Sequence, residues 1–543
     1  MKLIDLNIFG GILPRMQPRL IQPFQAETAE NCNLDRTDLR PYKGTDTHVS
    51  LSKPGDIQSI YRYAGTNDIN DGFWFHWTTD VDVVRGPIAN DTEETTYYTG
   101  DGVPKFTYAA IATSGGTGYP TNSYTLGVPE PDGTPNIGKA GTPDPDTTVE
   151  DLIYRTYVVT LVNGRGEEGP PSSAVTAPAI YPGEYIQLGN LPIAPAGNYN
   201  ITSKRIYRAT TGDSNGYQLV TELAIGATNF DDTVSDLALA EVLPSEEWYP
   251  PPDDMFSLGI MPNGIMYGLS KNAACFSKKF LPHAWGPLDR QYMPYDGVVA
   301  KHFDNTVVVL TEKNPILFTG TDPESMSQEE LTINQACVSY KSAVSTPYGV
   351  VFASPDGLIL IGPQGYRNLT KPYYTRSQWQ ALKPETFRGV FHDDRYLGFF
   401  DDGTNQRCLI LDPTNQESGL RYVNIYAKDA VSDPYTDTLF LLSGSNVVKW
   451  DAGTNLTYKW KSKRFEVPRK VTLRAGRIRA ESYADTTFRL YVDETLRHTQ
   501  TVTSGEPFAM PRGYEGRLIQ VEIEGTDVVN HIECAETMAG LAT

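Results

Sequence analysis

Long apolar runs are missing from this sequence of 543 residues. No stretch approaches the roughly 20 consecutive apolar residues that a membrane-spanning helix needs. The first residues, MKLIDLNIFGGILPRM, contain only a short apolar run, which Asp5 and Asn7 interrupt, and no cleavage site of small residues. These are not the features of a secretory signal peptide. We therefore expect a chain without a membrane span that is synthesised in the cytoplasm of a cell.

Cysteine is also scarce. The five cysteines, Cys32, Cys275, Cys337, Cys408 and Cys534, lie far apart and form no Cys-x-x-Cys pair. Disulfide-stabilised secreted domains have an even number of closely spaced cysteines. The sequence therefore predicts buried free thiols in a reducing compartment.

Basic residues are too few for a protein that grips nucleic acid. Lysine and arginine number 46 against 66 aspartates and glutamates, which gives a formal net charge of −20. A protein that holds duplex DNA by its phosphates needs clustered lysine and arginine instead. The balance argues against stable DNA binding and is compatible with DNA that slides past without adhering.

Signatures of catalysis are absent as well. The chain has no Walker loop, no G-x-S-x-G, no H-E-x-x-H and no G-x-G-x-x-G after a predicted strand. Gly212-Asp213-Ser214 matches a lipase-type serine only as a tripeptide, and Ser354-Pro355-Asp356-Gly357 has the wrong spacing for a sialidase turn. Glycoside hydrolysis needs two carboxylates at a set separation, which scattered acidic residues do not identify. We predict that the chain is not an enzyme and uses no cofactor.

Metal ligands are sparse too. The seven histidines are dispersed, with no pair at ligand spacing. His392-Asp393-Asp394 and Asp401-Asp402 flank a predicted hairpin and could offer oxygen ligands to a cation. Aspartate-rich hairpin turns are far more often plain turns, so we predict no metal site.

Residues of strands and turns are abundant, with 32 tyrosines, 47 glycines and 39 prolines. Between Met255 and Asp451 a hairpin pattern recurs about every 40 to 50 residues, the period of propeller blades. Its apolar strands are centred near Cys275, Leu317, Ile359, Leu409 and Val448. The strands between Asp56 and Thr125 could supply one more blade. One blade cannot bury both of its faces alone, whereas blades stacked in a ring can.

The sequence thus predicts an all-β fold, a discontinuous β-propeller of about six blades with an inserted fibronectin III-like β-sandwich and a C-terminal β-sandwich. The expected parts are an N-terminal arm and docking segment (1–55), a first propeller part (56–127), a linker with the insert (128–250), the main blades (251–455) and the C-terminal sandwich (456–543). The linker is rich in Pro, Gly and Asp from Val128 to Glu150. Strands spaced about 10 residues apart after Tyr154 favour the inserted sandwich.

One basic run interrupts the acidic sequence near the C-terminus. It begins with Lys459, Lys461, Lys463, Arg464, Arg469 and Lys470, and continues with Arg474, Arg477 and Arg479. Its charges often alternate with apolar residues, as on the solvated face of a strand. We interpret the run as such a face or as a contact with a protein partner, in preference to a DNA site.

The N-terminal segment carries the most specific motif. It contains Phe9-Gly10-Gly11-Ile12-Leu13-Pro14-Arg15, then Ala26-x-x-Ala29-x-Asn31, then Leu39-Arg40-Pro41. This segment resembles the opening of the tail nozzle proteins of short-tailed bacteriophages, which are also called tail tubular protein B or packaged-DNA stabilisation proteins. In that family a G-G-x-x-P-R turn precedes a short A-x-x-A-x-N helix and an L-R-P strand.

The resemblance implies a virion structural protein, made in a bacterial host, that forms a homohexameric ring below the adaptor and portal of the head–tail connector. Such a ring retains packaged DNA and opens for ejection, with DNA in transient passage, and tail fibres or spikes are further potential partners. The residues expected to serve assembly and docking are Phe9, Gly10, Gly11, Pro14, Arg15, Asn31, Arg40 and Pro41. The alternative hypothesis is a β-propeller that binds a glycan or a receptor on a phage or cell surface.

Overall fold

The computed structural model describes residues 2–63, 72–210, 216–415 and 419–541. This part of the chain is almost entirely β-structure, with 45 strands and two short α-helices, α1 (Ala109–Ala112) and α2 (Arg376–Ala381). The all-β prediction is confirmed. Among the described residues, no helix combines the length and the apolar character that crossing a membrane requires.

The N-terminal segment forms strands that pair with distant parts of the chain. Its strands are β1 (Lys2–Leu6), β2 (Ala26–Glu30), β3 (Cys32–Asn33), β4 (Arg40–Pro41) and β5 (Asp46–Ser50). The helix predicted for Ala26 to Asn31 is wrong, because this stretch is strand β2. Its backbone pairs with the stretch around Trp460, and such pairing overrides the weak helical preference of alanine and glutamate. The predicted L-R-P strand is present as β4, which pairs with β3.

Two sheets follow. Their strands are β6 (Ser59–Tyr63), β7 (Phe73–Trp77), β8 (Asp82–Arg85), β9 (Thr96–Thr99), β10 (Lys105–Thr107) and β11 (Tyr124–Thr125). Strands β6 and β7 pair with each other, and the other four form a sheet in the order β11-β10-β9-β8. This region was expected to supply one blade, and the described residues form two sheets there.

The next strands build two sheets around a shared core. They are β12 (Asn136–Gly141), β13 (Arg155–Asn163), β14 (Val175–Thr176), β15 (Glu184–Gly189), β16 (Ile201–Thr210), β17 (Gln218–Ala224) and β18 (Phe230–Asp232). The sheets have the orders β12-β15-β18 and β14-β13-β16-β17. Tyr157, Ile186 and Ile206 belong to one buried cluster between them. Part of the predicted linker is strand β12, whose residues are half-buried or exposed.

The repeated region consists of successive four-stranded units. Its strands are β19 (Phe256–Ile260), β20 (Met266–Ser270), β21 (Ala273–Phe276), β22 (Arg290–Tyr292), β23 (Gly297–Phe303), β24 (Thr306–Thr311), β25 (Ile316–Thr319), β26 (Ser327–Glu330), β27 (Val344–Thr346), β28 (Gly349–Ser354), β29 (Gly357–Gly362), β30 (Gly365–Asn368), β31 (Arg388–His392), β32 (Arg395–Asp401), β33 (Gln406–Leu411), β34 (Arg421–Val423), β35 (Ala430–Asp433), β36 (Thr438–Ser443) and β37 (Asn446–Lys449). The predicted apolar strands are β21, β25, β29, β33 and β37, each the third strand of its unit. Strand β5 completes the last unit by pairing with β37.

The C-terminal strands form two layers that the N-terminal segment joins to the rest. They are β38 (Tyr458–Ser462), β39 (Phe465–Val471), β40 (Ala475–Ala480), β41 (Thr486–Val492), β42 (Thr495–Thr501), β43 (Phe508–Ala509), β44 (Gly516–Gly525) and β45 (Val529–Ala535). One layer is the sheet β1-β45-β40-β43. The other continues through β2 into the unit β31–β34, which makes a single ten-stranded sheet. Ile478 and Phe488 lie in one buried cluster with residues of both layers.

Apolar clusters connect seven of these sheets in series. Each cluster contains residues of two successive sheets, and the one with Ala353 and Tyr396 extends into the C-terminal layers. The pairs are Phe75 with Tyr98, Phe106 with Met266, Phe276 with Phe318, Leu310 with Ile359, Ala353 with Tyr396, Ile410 with Leu441, and Phe440 with Trp74. The last cluster joins the unit β35–β37 to the sheet β6–β7, where the series starts. Both faces of each of these sheets are therefore buried against neighbours.

Candidate functional site

The first part of the predicted docking motif is fitted into the interior. Phe9 is 2% exposed, and its ring stands nearly perpendicular to that of Trp460, with the ring centroids 5.1 Å apart. The indole N–H of Trp460 donates a hydrogen bond of 3.1 Å to the Gly10 carbonyl. A Cβ on Gly11 would lie 2.3 Å from the carbonyl oxygen of Leu420. Position 11 therefore excludes every side chain, which gives this glycine a packing role.

The end of the motif is bound to the region of α2. The Pro14 carbonyl accepts a hydrogen bond of 2.9 Å from the Gln378 side chain. The Arg15 backbone N–H donates to the Tyr373 carbonyl at 2.7 Å, and its guanidinium donates to the Lys371 carbonyl at 2.5 Å. Arg15 is exposed and yet has a defined orientation.

Asn31 and the L-R-P strand make intramolecular contacts too. Asn31 has a φ of 55°, a left-handed conformation that asparagine tolerates. Its amide donates to the Thr457 carbonyl at 2.9 Å and accepts from the Asn424 N–H at 2.8 Å. Arg40 lies 2.7 Å from an Asp38 carboxylate oxygen and 3.1 Å from Glu481. Pro41 is opposite Cys32 in the β3–β4 pair.

All eight predicted residues therefore contribute to internal contacts, and the docking role assigned to them stays a prediction. The same segment presents three apolar side chains to solvent, Ile8 (48% exposed), Met16 (41%) and Leu20 (60%). Sequence reasoning missed them, because an apolar residue in a loop gives no sign of the direction in which it points. They are apolar surface of the segment that a partner can reach.

The basic run extends from β38 through β39 to β40, and local acceptors engage most of its charges. Lys459 is 3.8 Å from a Glu522 carboxylate oxygen, and the Lys461 ammonium lies 4.5 Å from the Tyr491 ring centroid. Lys463 donates to the Ile21 carbonyl at 2.6 Å, and burial lowers the pKa of its ammonium group.

The rest of the run shows the same pattern. Arg464 pairs with Glu27 at 3.1 Å and also with Glu494, and Arg469 pairs with Glu536 at 2.7 Å. Lys470 is exposed. Cations that already pair with carboxylates have little net charge to offer phosphates, so this face is a poor candidate for a DNA site.

A charge cluster that the sequence did not reveal lies where the first strands of several sheets begin. Lys341 lies 3.2 Å from carboxylate oxygens of both Asp80 and Asp429. Lys301 lies 3.4 Å from Asp82, and burial raises the pKa of the Asp82 carboxyl group. The members are up to 349 positions apart in the sequence, so no local pattern predicts them. The ion pairs therefore join sheets that are not adjacent in the series of apolar clusters.

The aspartates considered as cation ligands serve turns. Asp401 accepts the Gly403 N–H at 2.7 Å, and Asp402 accepts the Asn405 N–H at 2.7 Å. Asp393 and Asp394, with φ of 49° and 55°, form the turn between β31 and β32. His392 lies 3.0 Å from the Ser432 hydroxyl.

Within the described ranges, one group of residues has metal-ligand proximity, and it consists of Asp5, His531 and Glu533. Lys2 and Arg477 already pair with Glu533, the former at 2.6 Å. These cations disfavour a metal ion at that place.

The nucleophile candidates have little support. All five cysteines are buried and free, and burial raises the pKa of Cys275 to about 11 and that of Cys337 to about 12. Such thiols are poor nucleophiles at neutral pH. Ser354 and Gly357 close the tight turn between β28 and β29. Gly212-Asp213-Ser214 lies outside the described residues.

Comparison with known proteins gives no family. No protein-family model matches the chain, and no curated protein matches it. Among solved structures it is similar to the extracellular domain of a hybrid two-component system from B. thetaiotaomicron, with 11% identity over 69% of this chain and a TM-score of 0.24. The match spans 48% of that protein, so less than half of its length is covered.

Two further structures have the same level of similarity. PorZ, a surface component of the type-IX secretion system of Porphyromonas gingivalis, has 10% identity over 87% of this chain and 69% of its own, with a TM-score of 0.26. The exo-β-1,3-galactanase of Phanerochaete chrysosporium has 9% identity over 51% of this chain and 95% of its own, with a TM-score of 0.20. Similarity at this level carries no conclusion about function.

Proposed function

We propose that the chain is the nozzle protein of a short-tailed bacteriophage, a virion component that prolongs the DNA channel below the adaptor as a homohexameric ring. The observation that carries the proposal is the N-terminal segment. Its sequence resembles that of nozzle proteins, and the packing around its motif residues explains why these residue types are required there. Gly11 fits against Leu420 without room for a side chain, and the Gly10 carbonyl accepts the Trp460 N–H.

The proposed fold is a β-propeller of seven blades rather than about six. Its blades are the seven sheets that apolar clusters join in a closed series. Hydrogen bonds between first strands support their position at the centre: Ser257 with Ala300 at 2.9 Å, and His302 with Ser345 at 3.2 Å. Strand β5, which precedes the first blade, is the outer strand of the last one. A pairing of this kind, between the start of the chain and the last blade, supports a closed arrangement of the blades.

The two added domains complete the proposed nozzle subunit. The sheets of β12–β18 form a fibronectin III-like insert that serves as a spacer or contact surface. The C-terminal layers form a second sandwich, which shares a continuous sheet with the blade β31–β34 through β2. That connection would keep the sandwich in a fixed orientation relative to the propeller.

Docking to the adaptor is assigned to the outward side of the N-terminal segment. Ile8, Met16 and Leu20 supply apolar surface, and Arg15 is exposed beside them. Buried motif residues keep this surface rigid, so binding costs little conformational entropy. Apart from Arg15, the motif residues thus stabilise the docking surface from within the subunit.

The charge distribution suits a channel that DNA passes without adhering. Residues 456–543 contain 13 of the 46 basic and 12 of the 66 acidic residues, so the excess of negative charge lies in residues 1–455. Six copies at −20 each carry −120 formal charges. Duplex DNA carries about one negative charge per 1.7 Å, and an acidic channel wall repels it.

The proposal includes no catalysis and no cofactor. The alternative is a glycan- or receptor-binding propeller. The two hypotheses differ in where the protein is found and in how loss of the protein affects phage particles. A phage that carries a stop codon in this gene tests the proposal. Its particles should contain portal and adaptor, lose their genome and be non-infectious, and the wild-type chain supplied in trans should restore them. Filled, infectious particles without the chain would refute the nozzle role.

A further inference from the structure

A cavity of about 480 Å³ lies between the turn ends of the units β31–β34 and β35–β37. The turn after β31, the turn before β36 and the end of β37 form its walls, and residues next to β3 and β4 cover one side. Its volume is within the usual range for small-molecule sites, about 300 to 1,000 Å³. We call it the aromatic cleft. Its lining includes Tyr42, Arg395, Asp437, Lys449, Trp450 and Asp451.

The cleft has an aromatic wall. The rings of Tyr42 and Trp450 lie 5.7 Å apart at an angle of 55°. Tyr42 is 4% exposed, whereas Trp450 is only half-buried. The indole therefore offers apolar surface to a molecule in the cleft. An aromatic ring binds the C–H face of a flat, saturated ring by dispersion and by its quadrupole.

The polar groups of the cleft are of both signs. Asp437 and Asp451 present carboxylates and Lys449 presents an ammonium group, while the Arg395 guanidinium already pairs with Asp35 at 2.7 Å. Asp451 uses one oxygen to accept the Lys43 N–H at 2.6 Å, and its second oxygen is a further acceptor in the cleft. In the described parts of the chain, neither Asp437 nor Lys449 has an ion-pair partner. A cationic ligand would meet Lys449 and Arg395, and an anionic one would meet the carboxylates.

A second cavity of about 300 Å³ adjoins the first and shares Asp35, Arg395 and Ile410 with it. Arg421 lines this smaller cavity and is 6% exposed. Its Nε–H is buried without a hydrogen-bond partner among the described residues. Buried donors of this kind are normally satisfied, so this one calls for an acceptor such as a ligand hydroxyl.

We propose that the aromatic cleft binds a saccharide. A neutral ring with many hydroxyls donates to Asp437 and Asp451, accepts from Lys449 and Arg395, and packs its C–H face on Trp450. A sugar ring can use the aromatic wall, the carboxylate acceptors and the cationic donors together. A disaccharide would extend towards Arg421. This inference is independent of the nozzle role, since binding is a property of the single chain.

Calorimetric titration of the full chain tests the proposal with a defined panel: lactose, maltose, N,N′-diacetylchitobiose, rhamnose and glucuronic acid. At least one of them should bind. Trp450→Phe should weaken that binding by about tenfold or more, because a smaller ring offers less contact. Asp437→Asn, which keeps the turn conformation, should weaken it about threefold through loss of a charged acceptor.

Trp248→Phe is the matched control, since Trp248 is also half-buried and also packs against another ring, that of His283 at 5.5 Å. It should bind the sugar like the wild type. Failure of the whole panel would overturn the proposal, as would unchanged binding by Trp450→Phe. Binding of spermidine or inorganic phosphate without any sugar would also overturn it. Thermal unfolding of each variant excludes misfolding as the cause of a loss.

Discussion

Replacing Gly11 with alanine should loosen the joint between the N-terminal segment and the strand at Leu420. The new Cβ would lie 2.3 Å from the Leu420 carbonyl oxygen and 2.9 Å from its nitrogen. These neighbours are backbone atoms, so no side-chain rotation relieves the clash. The segment must move and weaken the bonds from the Ile12 N–H to Leu420 at 2.7 Å and from the Leu420 N–H to Ile12 at 3.2 Å. Overpacking costs about 1–3 kcal/mol, and each weakened bond adds about 0.5–1.5 kcal/mol.

The total destabilisation is about 2–6 kcal/mol, and hydrogen–deuterium exchange can locate it. The Ile12 and Leu420 amides should exchange roughly 30-fold faster or more, at about tenfold per 1.4 kcal/mol. Gly116→Ala is the control, because a Cβ at Gly116 meets nothing within 4 Å, and its exchange should equal that of the wild type. Equal protection in both variants would refute the packing role of Gly11. In the phage test described above, Gly11→Ala should also complement the stop codon less well than Gly116→Ala.

Three further predictions concern charge and assembly. The purified chain should not shift duplex DNA at physiological salt; micromolar binding with a steep salt dependence would make the basic run a DNA site. The hydrogen bond from Arg477 lowers the pKa of Glu533 to about 2 from its ordinary 4.5. The ionised Glu533 therefore adds to the free energy of unfolding in full above pH 4.5, and this contribution is lost as the pH falls towards 2. Glu533→Gln should flatten that part of a urea-stability profile against pH, and an unchanged slope would contradict the assignment. Light scattering should find a monomer at micromolar concentration that binds particles ending at the adaptor; stable free hexamers would contradict assembly on a template.

The strands of the repeated region could be predicted because a strand that is buried on both faces consists almost entirely of apolar residues. Strands such as β25 and β29 are short apolar runs between turn residues. Such a run can be recognised within a short stretch of sequence. The number of sheets was harder to predict. Strands β6 and β7 form a two-stranded sheet in the described residues, which does not match the four-stranded repeat seen elsewhere.

The candidate sites could be predicted only where chemistry is local. The double glycine was found because its motif is contiguous, yet its reason, the approach to Leu420, lies 409 positions away. The Ala26-x-x-Ala29 spacing fits a helix equally well, and only pairing with β38 decides for a strand. The charge cluster around Lys341 and the aromatic cleft combine side chains from several sheets. The fold brings these side chains together, and their spacing in the sequence does not indicate that they are close.

The N-terminal segment also suggests why the ring would form on a template. Its motif residues are committed to the subunit's own core, so they make each copy complete and stable without a neighbour. Its outward side offers only three separate apolar side chains, too little surface to hold two acidic copies together against their repulsion. In the proposed nozzle, a preformed adaptor ring would change that balance by binding each copy separately and bringing neighbouring copies to high effective concentration. Weak contacts between subunits would then suffice to close the ring on that template.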